Sequence, residues 1–479
     1  MNSHLSGNRG MIIKNGVLFT AAPFLPKIVN ILLLPIMTKY LTDVDYGIAG
    51  TISAYTQSIG AFATLGLQVM LQNSFFKTPL EYKDTWRQIY GFLKFWMIVY
   101  AVIQAIIMFF FIPEEAIDNR WWIIILSQFS TVFFGPTGLI GNSYYVYNKQ
   151  SVPVVWRSVS ASVLIVLVDF VLIVYLRWGY MGWYVGTFVG LFFTNASYWY
   201  VVRYKLGMRP QYNFRWSVIR HSLSVSVPTI PHYYTGYLLE GSGRMVMDQY
   251  YIPQGTIGQV SISQQLGDVF QEGLKGFNNA IAPYQMEALR VKNGNRINML
   301  ATIFAIGVFL AAFLLSVWSK ELFKILLSNE SLQSAYPYFI LYIMALCYRP
   351  LYTNVSNYYF FYERTKQLLL ITFLAGSIAI TLYIVFMPLI GLWAFLLGHY
   401  VACLYFGYAG YFYSGYRQNA TNRLPVILFL TTQIVLTGLA YILVEYIWIK
   451  TAVTLMFGVA GVVMFKKSKY LSLLGNQTK

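Results

Sequence analysis

Long apolar segments recur along the whole chain, and this recurrence constrains the fold more than any other feature. Residues 101–112, 163–176 and 303–317 are examples that consist almost wholly of hydrophobic side chains. A helix that crosses a bilayer needs about 20 mostly apolar residues, and the polar stretches between such runs are too short to fold as separate domains. Hydrophobic residues make up 57% of the 479 positions and charged residues only 11%. The sequence therefore predicts an all-α polytopic membrane protein without a water-soluble domain.

About fourteen transmembrane helices account for nearly the whole sequence. They are predicted at residues 15–41, 47–75, 90–112, 121–146, 154–176, 180–203, 217–252, 256–285, 298–318, 335–362, 367–388, 390–414, 424–445 and 448–465. Lys and Arg are enriched in cytoplasmic loops of membrane proteins. With the N-terminus inside, 24 of the 34 basic residues fall in cytoplasmic segments and six in external segments. This bias predicts that both termini are cytoplasmic.

The net charge of +17 does not indicate a nucleic-acid partner, because the basic residues are scattered over predicted cytoplasmic loops. Cys347 and Cys403 lie inside predicted helices, and no Cys or His pair has the spacing of metal ligands. We therefore expect no disulfide framework, metal or other cofactor. The sequence also lacks a Gly-Lys dipeptide, which excludes a phosphate-binding ATPase loop. Any transport must draw on an ion gradient, the membrane potential or a partner.

A polar stripe runs along one face of the predicted helix 256–285. At 100° per residue, seven polar side chains fall within about 100° of arc: Ser261, Gln264, Gln265, Asp268, Glu272, Lys275 and Asn279. Ionisable groups inside a membrane nearly always face protein or a water-filled cavity. Asp268, Glu272 and Lys275 could instead pair with one another as structural contacts. The stripe is longer than one ion pair requires, so the pattern favours a hydrated cavity wall.

The chain also contains a weak internal repeat with an offset of 211 residues, which places Gly47 over Gly258. The same offset gives the predicted helix 47–75 a milder polar stripe at Ser53, Gln57, Thr64 and Gln68. The simplest organisation is a six-helix lobe at residues 1–211, a second six-helix lobe at 212–422, and two further helices with a basic tail at 423–479.

Proline and glycine residues predict a break in the helix 217–252, which is too long for one straight span. It contains Pro228, Pro231, Gly241 and Gly243. Proline removes a backbone hydrogen bond and clashes with the preceding turn. Because broken helices at membrane depth usually border a cavity, a bend beside the cavity is expected here.

Five further ionisable residues lie within predicted helices. Asp169 stands alone in an apolar run and is either hydrogen-bonded by neighbouring serines or a proton or sodium site. Arg244 follows Glu240 by four residues, a spacing that allows the two to pair. Arg349 precedes a proline and could either neutralise phosphate or donate to carbonyl groups that the proline leaves unpaired. Lys27 lies deep in the first helix and is expected to face the cavity.

Several segments resemble bacterial polysaccharide transporters. They are LLLPIMTKYLTDVDYGIAG at 32–50, GRMVMDQYYIPQGTIGQVS at 243–261, and the Tyr-Asn-Lys and Tyr-Glu-Arg turns that begin at residues 147 and 362. On these segments the chain resembles the lipid-linked oligosaccharide flippases of the Wzx class, in the multidrug/oligosaccharidyl-lipid/polysaccharide exporter superfamily. Many members of the class have an Asp-Arg pair where this chain has Gly243 and Arg244.

The resemblance implies two six-helix lobes in an inverted V around a central cavity, lined chiefly by the first, second, seventh and eighth helices. It implies a flippase, not an enzyme, that moves an undecaprenyl-pyrophosphate-linked oligosaccharide across the bacterial cytoplasmic (inner) membrane by alternating access. The translocated oligosaccharide would be used to build O-antigen or another surface polysaccharide, and a polysaccharide polymerase is a candidate partner. The last two helices correspond to those associated with the lipid tail in the related lipid II flippases.

The resemblance and the positions of these side chains together suggest roles for individual residues. The residues expected to neutralise the pyrophosphate are Lys27, Lys275, Arg349 and Arg244. The residues expected to line the cavity and contact sugars are Gln57, Thr64, Gln68, Gln264, Asp268, Glu272 and Asn279. A coupling proton or sodium ion is expected at Asp169 or Glu240.

Two other functions fit parts of the sequence. A cation-coupled multidrug antiporter of the same superfamily would have an acidic, aromatic cavity, and this chain has intramembrane acids and bases in similar number. A membrane polysaccharide polymerase or ligase would need a sizeable external loop for its chemistry, and the sequence predicts none.

Overall fold

Every structural element in the described part of the chain is helical, in agreement with the predicted fold class. The computed structural model describes residues 24–362, 364–417 and 425–467, except for the side chains at 24–28, 232–233, 279–280, 283, 365 and 458–467. The helices are α1 (Phe24–Met37), α2 (Asp43–Ser58), α3 (Gln68–Lys77), α4 (Tyr82–Phe111), α5 (Arg120–Tyr147), α6 (Val152–Asp169), α7 (Tyr180–Tyr200), α8 (Trp216–Ser226), α9 (Ile230–Glu240), α10 (Ser242–Gln249), α11 (Gln254–Arg290), α12 (Gly294–Val317), α13 (Ser319–Leu326), α14 (Glu330–Gln333), α15 (Tyr336–Leu346), α16 (Arg349–Phe361), α17 (Thr365–Ile390), α18 (Leu392–Phe412), α19 (Ser414–Arg417), α20 (Val426–Leu443) and α21 (Ile447–Lys467).

Seven helices in the described ranges are long and apolar enough to cross a membrane, judged by length and composition. They are Tyr82–Phe111, Glu114–Tyr147, Val152–Tyr175, Gly294–Val317, Lys366–Ile390, Leu392–Phe412 and Val426–Leu443. Because each can span about 30 Å of hydrocarbon, the protein is a multi-pass membrane protein. The count of fourteen spans and the cytoplasmic location of both termini stay predictions.

The predicted continuous helix 47–75 is wrong. Helix α2 ends at Ser58, and α3 begins only at Gln68. Between them Gly66 has a φ of 68°, and a Cβ atom at this residue would lie 2.7 Å from the carbonyl oxygen of Ser226. A left-handed residue ends a helix, and the close approach to another helix end requires glycine. The polar face of α2 therefore does not continue past the break.

Two other predicted helices also consist of shorter pieces. The segment predicted at 217–252 is broken into α8, a short 3₁₀ turn, α9 and α10, which confirms the break expected from its prolines and glycines. The segment predicted at 335–362 was expected to be continuous, but α15 ends at Leu346 and α16 begins at Arg349. Pro350 lies in the first turn of α16, where a missing N–H group matters least.

The helices form two groups that meet along α2 and α11. Helices α2 and α4–α7 pack against one another in the first group, and α9–α12 pack with α15–α18 in the second. Helix α1 contacts α6 of the first group and α11 and α13 of the second, and α20 packs on α12 and α15. The lobe boundaries at residues 1–211, 212–422 and 423–479 stay a prediction.

Helices α2 and α11 make a reciprocal backbone contact near their first residues. A Cβ atom on Gly47 would lie 1.9 Å from the carbonyl oxygen of Gln254, and one on Gly258 would lie 1.8 Å from the carbonyl oxygen of Asp43. Residues 43 and 254, like residues 47 and 258, are related by the 211-residue offset of the internal repeat. The contact therefore has the form expected at a two-fold axis between repeats, and only glycine allows the two backbones to approach this closely.

Hydrogen bonds reinforce this contact, at what we call the closed end of the molecule. The Tyr55 hydroxyl donates to Asp248 Oδ2 at 2.7 Å, and Gln254 Nε2 donates to Asp248 Oδ1 at 2.8 Å. The Thr51 hydroxyl donates to Gln254 Oε1 at 3.0 Å. These bonds join α2 of the first group to α10 and α11 of the second, so the two groups cannot separate here without breaking them.

A buried lysine ties the last two helices to the second group. Lys450 is 1% exposed, and its ammonium donates to Glu321 Oε1 at 2.6 Å and to the carbonyl oxygen of Val444 at 2.9 Å. Trp318 Nε1 donates to the Thr454 hydroxyl at 2.9 Å. These bonds attach α20 and α21 to the region where α12 ends and α13 begins.

We predict that Gly258→Ala destabilises the protein, because its Cβ would collide with a backbone carbonyl that cannot rotate away. Overpacking of this kind costs about 1–3 kcal/mol, and it should lower the Tm of the purified protein in detergent. Gly438→Ala in α20 is the matched control, because its Cβ would have no neighbour within 4 Å. Equal Tm values for the two variants would contradict the close approach of α2 and α11.

Candidate functional site

A polar cavity of about 300 Å³ lies between the two helix groups, below the closed end. We call it the central cavity. Its polar lining comes from α2, α9, α10, α11 and α15 and comprises Ser53, Gln57, Glu240, Arg244, Ser261, Gln264, Gln265, Asp268 and Tyr342, with Tyr46 and Trp183 as aromatic neighbours. The N-terminal half of the stripe predicted on 256–285 therefore faces this cavity, as does the part of the milder stripe that lies on α2.

The end of α9 is positioned by side chains from three other helices. The carbonyl oxygen of Leu239 accepts from His399 Nδ1 at 2.9 Å and from the Tyr383 hydroxyl at 3.1 Å. The carbonyl oxygen of Glu240 accepts from Gln264 Nε2 at 3.2 Å. Backbone carbonyls left without a helical partner must be satisfied when they are buried, and these bonds fix the helix break at the edge of the central cavity. His399 is accordingly a hydrogen-bonded core residue.

Glu240 pairs with Arg349 from α16. A guanidinium nitrogen of Arg349 contacts Glu240 Oε1, and Gln271 Nε2 donates to the same oxygen at 2.9 Å. The alternative pairing of Glu240 with Arg244, one turn along the chain, is not made, because α9 ends between them at Gly241. The Arg349 and Glu240 side chains are 21% and 31% exposed, so the pair lies at the cavity wall and not in bulk solvent.

Arg244 places a guanidinium in the central cavity. Its Nε is buried and has no hydrogen-bond partner, and its charge interacts with the carboxylate of Asp268. Asp268 Oδ1 also accepts from the Tyr342 hydroxyl at 3.0 Å. Gln264, which is 5% exposed, has a buried Oε1 without a partner. The cavity thus presents an unused donor and an unused acceptor, which a polar ligand could satisfy.

Other residues predicted for the site lie outside the central cavity. Lys275 Nζ lies 2.9 Å from Glu272 Oε1, and the Lys275 side chain is 57% exposed. These two residues therefore pair with each other, which is the alternative to a cavity role. The Thr64 hydroxyl donates to Gln68 Oε1 at 2.9 Å, beyond the end of α2, so the helix break moves both away from the cavity. The side chains of Lys27 and Asn279 lie outside the described residues.

A second cavity of about 450 Å³ lies within the first helix group, and we call it the N-side cavity. It shares Ser53, Gln57, Gln265, Tyr46 and Trp183 with the central cavity and is also lined by Asn30, Thr56, Ser127, Asp169, Thr187 and Phe188.

Asp169 supplies the carboxylate of the N-side cavity and is 7% exposed. It is the last residue of α6, where the chain changes to a π-helical turn over Phe170–Tyr175. Its Oδ1 is buried without a hydrogen-bond partner. The neighbouring serines therefore do not donate to this oxygen, although one of the two alternatives drawn from the sequence required them to. A Cβ atom on Gly186 would lie 1.8 Å from this oxygen, so α7 leaves room for the carboxylate only because it has glycine there. π-Helical turns are frequent at functional sites.

Sequence reasoning missed two polar residues of the central site. Gln271, the partner of Glu240, lies just beyond the edge of the stripe on α11 and carries no charge that would draw attention. Tyr342 is surrounded in the sequence by apolar residues of α15. Because the chain has 40 tyrosines, nothing in the sequence distinguishes the one that donates to Asp268. Among the described residues, no cluster of three or more His, Cys, Asp or Glu side chains could hold a metal ion.

We predict that the Glu240–Arg349 pair stabilises the folded protein more than the Glu272–Lys275 pair does. Removing one partner of a fully buried pair costs about 3–5 kcal/mol. The Arg349 and Glu240 side chains are 21% and 31% exposed, so Arg349→Met should lower the Tm by an amount that corresponds to the lower end of this range. The double variant Glu240→Gln/Arg349→Met should recover much of the loss, because no charge is left unpaired.

The control is Lys275→Met, which removes an ammonium group that is 57% exposed and should cost about 0.2–1 kcal/mol. Comparable Tm losses for Arg349→Met and Lys275→Met, measured in the same detergent, would show that the cavity wall is as well solvated as the surface.

Solved structures with the same fold include transporters of two kinds. "Lipid II flippase MurJ, inward closed conformation" matches with a TM-score of 0.63 and 16% identity, over 91% of this chain and 100% of that chain. An inward-facing multidrug resistance MATE family transporter of the MOP superfamily matches with a TM-score of 0.63 and 13% identity, over 85% and 95% of the two chains. A structure of the MATE multidrug transporter DinF-BH matches with a TM-score of 0.57 and 16% identity, over 86% and 96%.

The family is identified by sequence. No curated protein sequence matches the chain significantly. A family model described as "Polysaccharide biosynthesis protein" matches residues 12–289, which is more than half of the 479-residue chain and includes every helix from α1 to α10 and most of α11. Together with the shared fold, this match confirms the resemblance drawn from the sequence: the chain belongs to the polysaccharide biosynthesis protein family.

Proposed function

We propose that the protein is a flippase for an undecaprenyl-pyrophosphate-linked oligosaccharide. It moves the oligosaccharide from the cytoplasmic to the outer leaflet of the bacterial cytoplasmic (inner) membrane. The oligosaccharide then enters O-antigen or another surface polysaccharide through a polymerase in the same membrane. The observation that carries this proposal is a polar cavity with a guanidinium, which lies between the two helix groups of a multi-pass membrane protein of this family.

The cavity chemistry suits a charged, hydroxyl-rich head group. Such a head group has no hydrogen-bond partners in the hydrocarbon core, and leaving each polar group unpaired there costs several kcal/mol. Gln57, Gln264 and Gln265 offer both donors and acceptors to sugar hydroxyls, and Ser53 and Ser261 add hydroxyls of their own. These side chains replace water while the head group crosses the membrane.

Arg244 is the cation that we assign to the pyrophosphate. Arg349 and Lys275 already neutralise Glu240 and Glu272, so either would have to exchange partners before it could bind phosphate. Arg244 has an unused Nε–H donor at the cavity, and a guanidinium can bind phosphate oxygens through two parallel hydrogen bonds. Lys27 stays a proposed second cation.

The contact at the closed end suggests how access alternates. Helices α2 and α11 approach most closely near their first residues, at Gly47 and Gly258, and polar side chains of both helices line the central cavity beyond that contact. Opening the cavity at the closed end requires the loss of the bonds that join Tyr55, Asp248 and Gln254. Substrate and coupling ion must supply that free energy through tighter binding to one of the two conformations.

We propose the N-side cavity as the site of a coupling proton or sodium ion. A buried carboxylate with an unpaired oxygen is unfavourable in a membrane unless it holds a proton or a cation. Because the N-side and central cavities share Ser53, Gln57 and Gln265, the charge state of Asp169 can affect the wall of the substrate site. Glu240, the other coupling candidate, is already paired with Arg349.

The N-side cavity also favours one alternative function, a cation-coupled multidrug antiporter. A lone carboxylate beside Tyr46, Trp183 and Phe188 could bind an organic cation through charge and cation–π attraction. An antiporter would tolerate loss of Arg244, since a guanidinium repels a cationic drug, whereas a flippase would not.

We predict that Arg244→Gln slows transport about 10- to 100-fold, because hydrogen bonds to charged groups contribute about 1.5–3 kcal/mol. The measurement is the rate at which surface polysaccharide appears in a strain whose own gene is deleted. Arg244→Lys should be intermediate, because lysine keeps the charge but cannot bind two oxygens in parallel.

Arg290→Gln, at the exposed end of α11, is the matched control and should transport as well as the unaltered protein. The empty deletion strain should accumulate lipid-linked oligosaccharide on the cytoplasmic side. Full transport by Arg244→Gln at equal membrane levels would refute the assignment of Arg244, and a deletion strain without accumulation would refute the flippase.

A further inference from the structure

An apolar groove of about 730 Å³ runs between α11 and α12, outside both polar cavities. Its walls are built from Leu266, Val269, Phe270, Gly273, Leu274 and Phe277 of α11 and from Ile303, Phe304, Gly307, Val308, Ala311 and Leu315 of α12, with further apolar side chains from α1, α13 and α15. Its volume lies in the range of about 300–1,000 Å³ found for pockets that bury whole ligands. We call it the apolar groove.

Two glycines keep the apolar groove open. Gly273 of α11 and Gly307 of α12 are both exposed, and a Cβ atom on either would have no neighbour within 4 Å. On α12 the lining residues Ile303, Gly307, Ala311 and Leu315 follow one another at four-residue intervals, so the small residues are at the centre of one face and large ones at its ends. Gly in the middle of a helix is unfavourable by roughly 0.5–1 kcal/mol relative to Ala, and here it leaves unfilled space.

The apolar groove must contain hydrocarbon. Helix α12 is among the helices able to span a membrane, and Phe277 and Ile303 at the groove are 60% and 50% exposed. Water has no polar partners in such a site, and an empty groove would forfeit dispersion contacts along both walls. The surrounding medium in a membrane consists of lipid chains, which fill the space without loss of hydrogen bonds.

The apolar groove adjoins the polar cavities along two helices. On α11, Gln265 lines both polar cavities and the next residue, Leu266, lines the groove. On α1, Asn30 lines the N-side cavity and the next residue, Ile31, lines the groove. A molecule that reaches around either helix would thus have a polar part in a cavity and an apolar part in the groove.

We propose that the apolar groove binds the isoprenoid chain of the lipid-linked substrate while its head group occupies the central cavity. This inference rests on the proposed flippase function and adds to it a site for the lipid chain. It differs from the expectation drawn from the related lipid II flippases, which pointed to the last two helices. In this proposal the isoprenoid chain lies along α11 and α12. Helix α11 would then bind sugars on one face and the isoprenoid chain on the other.

The test uses the purified full-length protein in lipid nanodiscs and two probes, undecaprenyl pyrophosphate and inorganic pyrophosphate. Gly307→Leu and Gly273→Leu add a side chain at the groove, at positions where a Cβ atom would have no neighbour within 4 Å. Each displaces several methylene groups of a bound chain, so binding of undecaprenyl pyrophosphate should weaken about tenfold. Binding of inorganic pyrophosphate should not change.

Gly438→Leu on α20 is the matched control, because this glycine is exposed, has open space around it and lies outside the groove. Unchanged affinity of Gly307→Leu and Gly273→Leu for undecaprenyl pyrophosphate overturns the groove while leaving the flippase intact. Equal displacement by excess phosphatidylglycerol also overturns it, since the groove would then hold any bilayer lipid. If the unaltered protein binds neither probe, the proposed substrate itself is wrong, and the inference fails with it.

Discussion

The close approach of α2 and α11 at Gly47 and Gly258 is the contact on which the rest of the structure depends. The two backbones meet so closely that no side chain fits between them, which joins the two helix groups at one end. Around the central cavity the same helices carry polar side chains, among them Ser53, Gln57, Ser261 and Gln264. Because polar groups in a membrane must face protein or water, the helices enclose a cavity instead of a continuous apolar interface.

The break between α9 and α10 gives the cavity its charge. If this segment were one continuous helix, Glu240 and Arg244 would lie one turn apart and could neutralise each other. The helix ends at Glu240 instead, and Arg349 from α16 takes the carboxylate. Arg244 is thereby left to interact with Asp268 across the central cavity, with an unused donor. A local backbone irregularity thus decides which cation is available to a ligand.

Much of the fold follows from local sequence patterns, whereas the pairing of side chains does not. The apolar runs predicted most helices to within a few residues, and the prolines and glycines predicted the break in 217–252, because both signals are contained in the segment itself. The break after Ser58 depends on the contact of Gly66 with Ser226, which is 160 residues away in the chain and invisible to helical periodicity. The Glu240–Arg349 pair joins residues that are 109 positions apart in the sequence. The stripe on α11 was predicted as one surface, yet its N-terminal half faces the central cavity and Glu272 and Lys275 pair outside it.

A lipid-linked oligosaccharide presents a charged head group and an apolar chain at once, and α11 has a different face for each. The polar face lines the central cavity with Gln264 and Asp268, and the apolar face lines the groove with Leu266 and Gly273. During transport the isoprenoid chain can stay in hydrocarbon, and only the head group needs a path lined by protein. This division reduces the transport problem to the polar groups, for which the cavity supplies partners.

The most direct measurement is the movement of a lipid-linked oligosaccharide across vesicles that contain the purified protein. The sugar carries a fluorophore that an impermeant reductant destroys only in the outer leaflet, so the inner-leaflet fraction stays fluorescent unless it is flipped. A flippase with the cavity described here should make the inner-leaflet fraction accessible to the reductant within minutes. Protein-free control vesicles should keep their inner-leaflet fluorescence over the same time. If the inner-leaflet fluorescence persists under proton and sodium gradients of either direction, while the same vesicles export an organic cation, the central cavity does not serve a lipid-linked substrate.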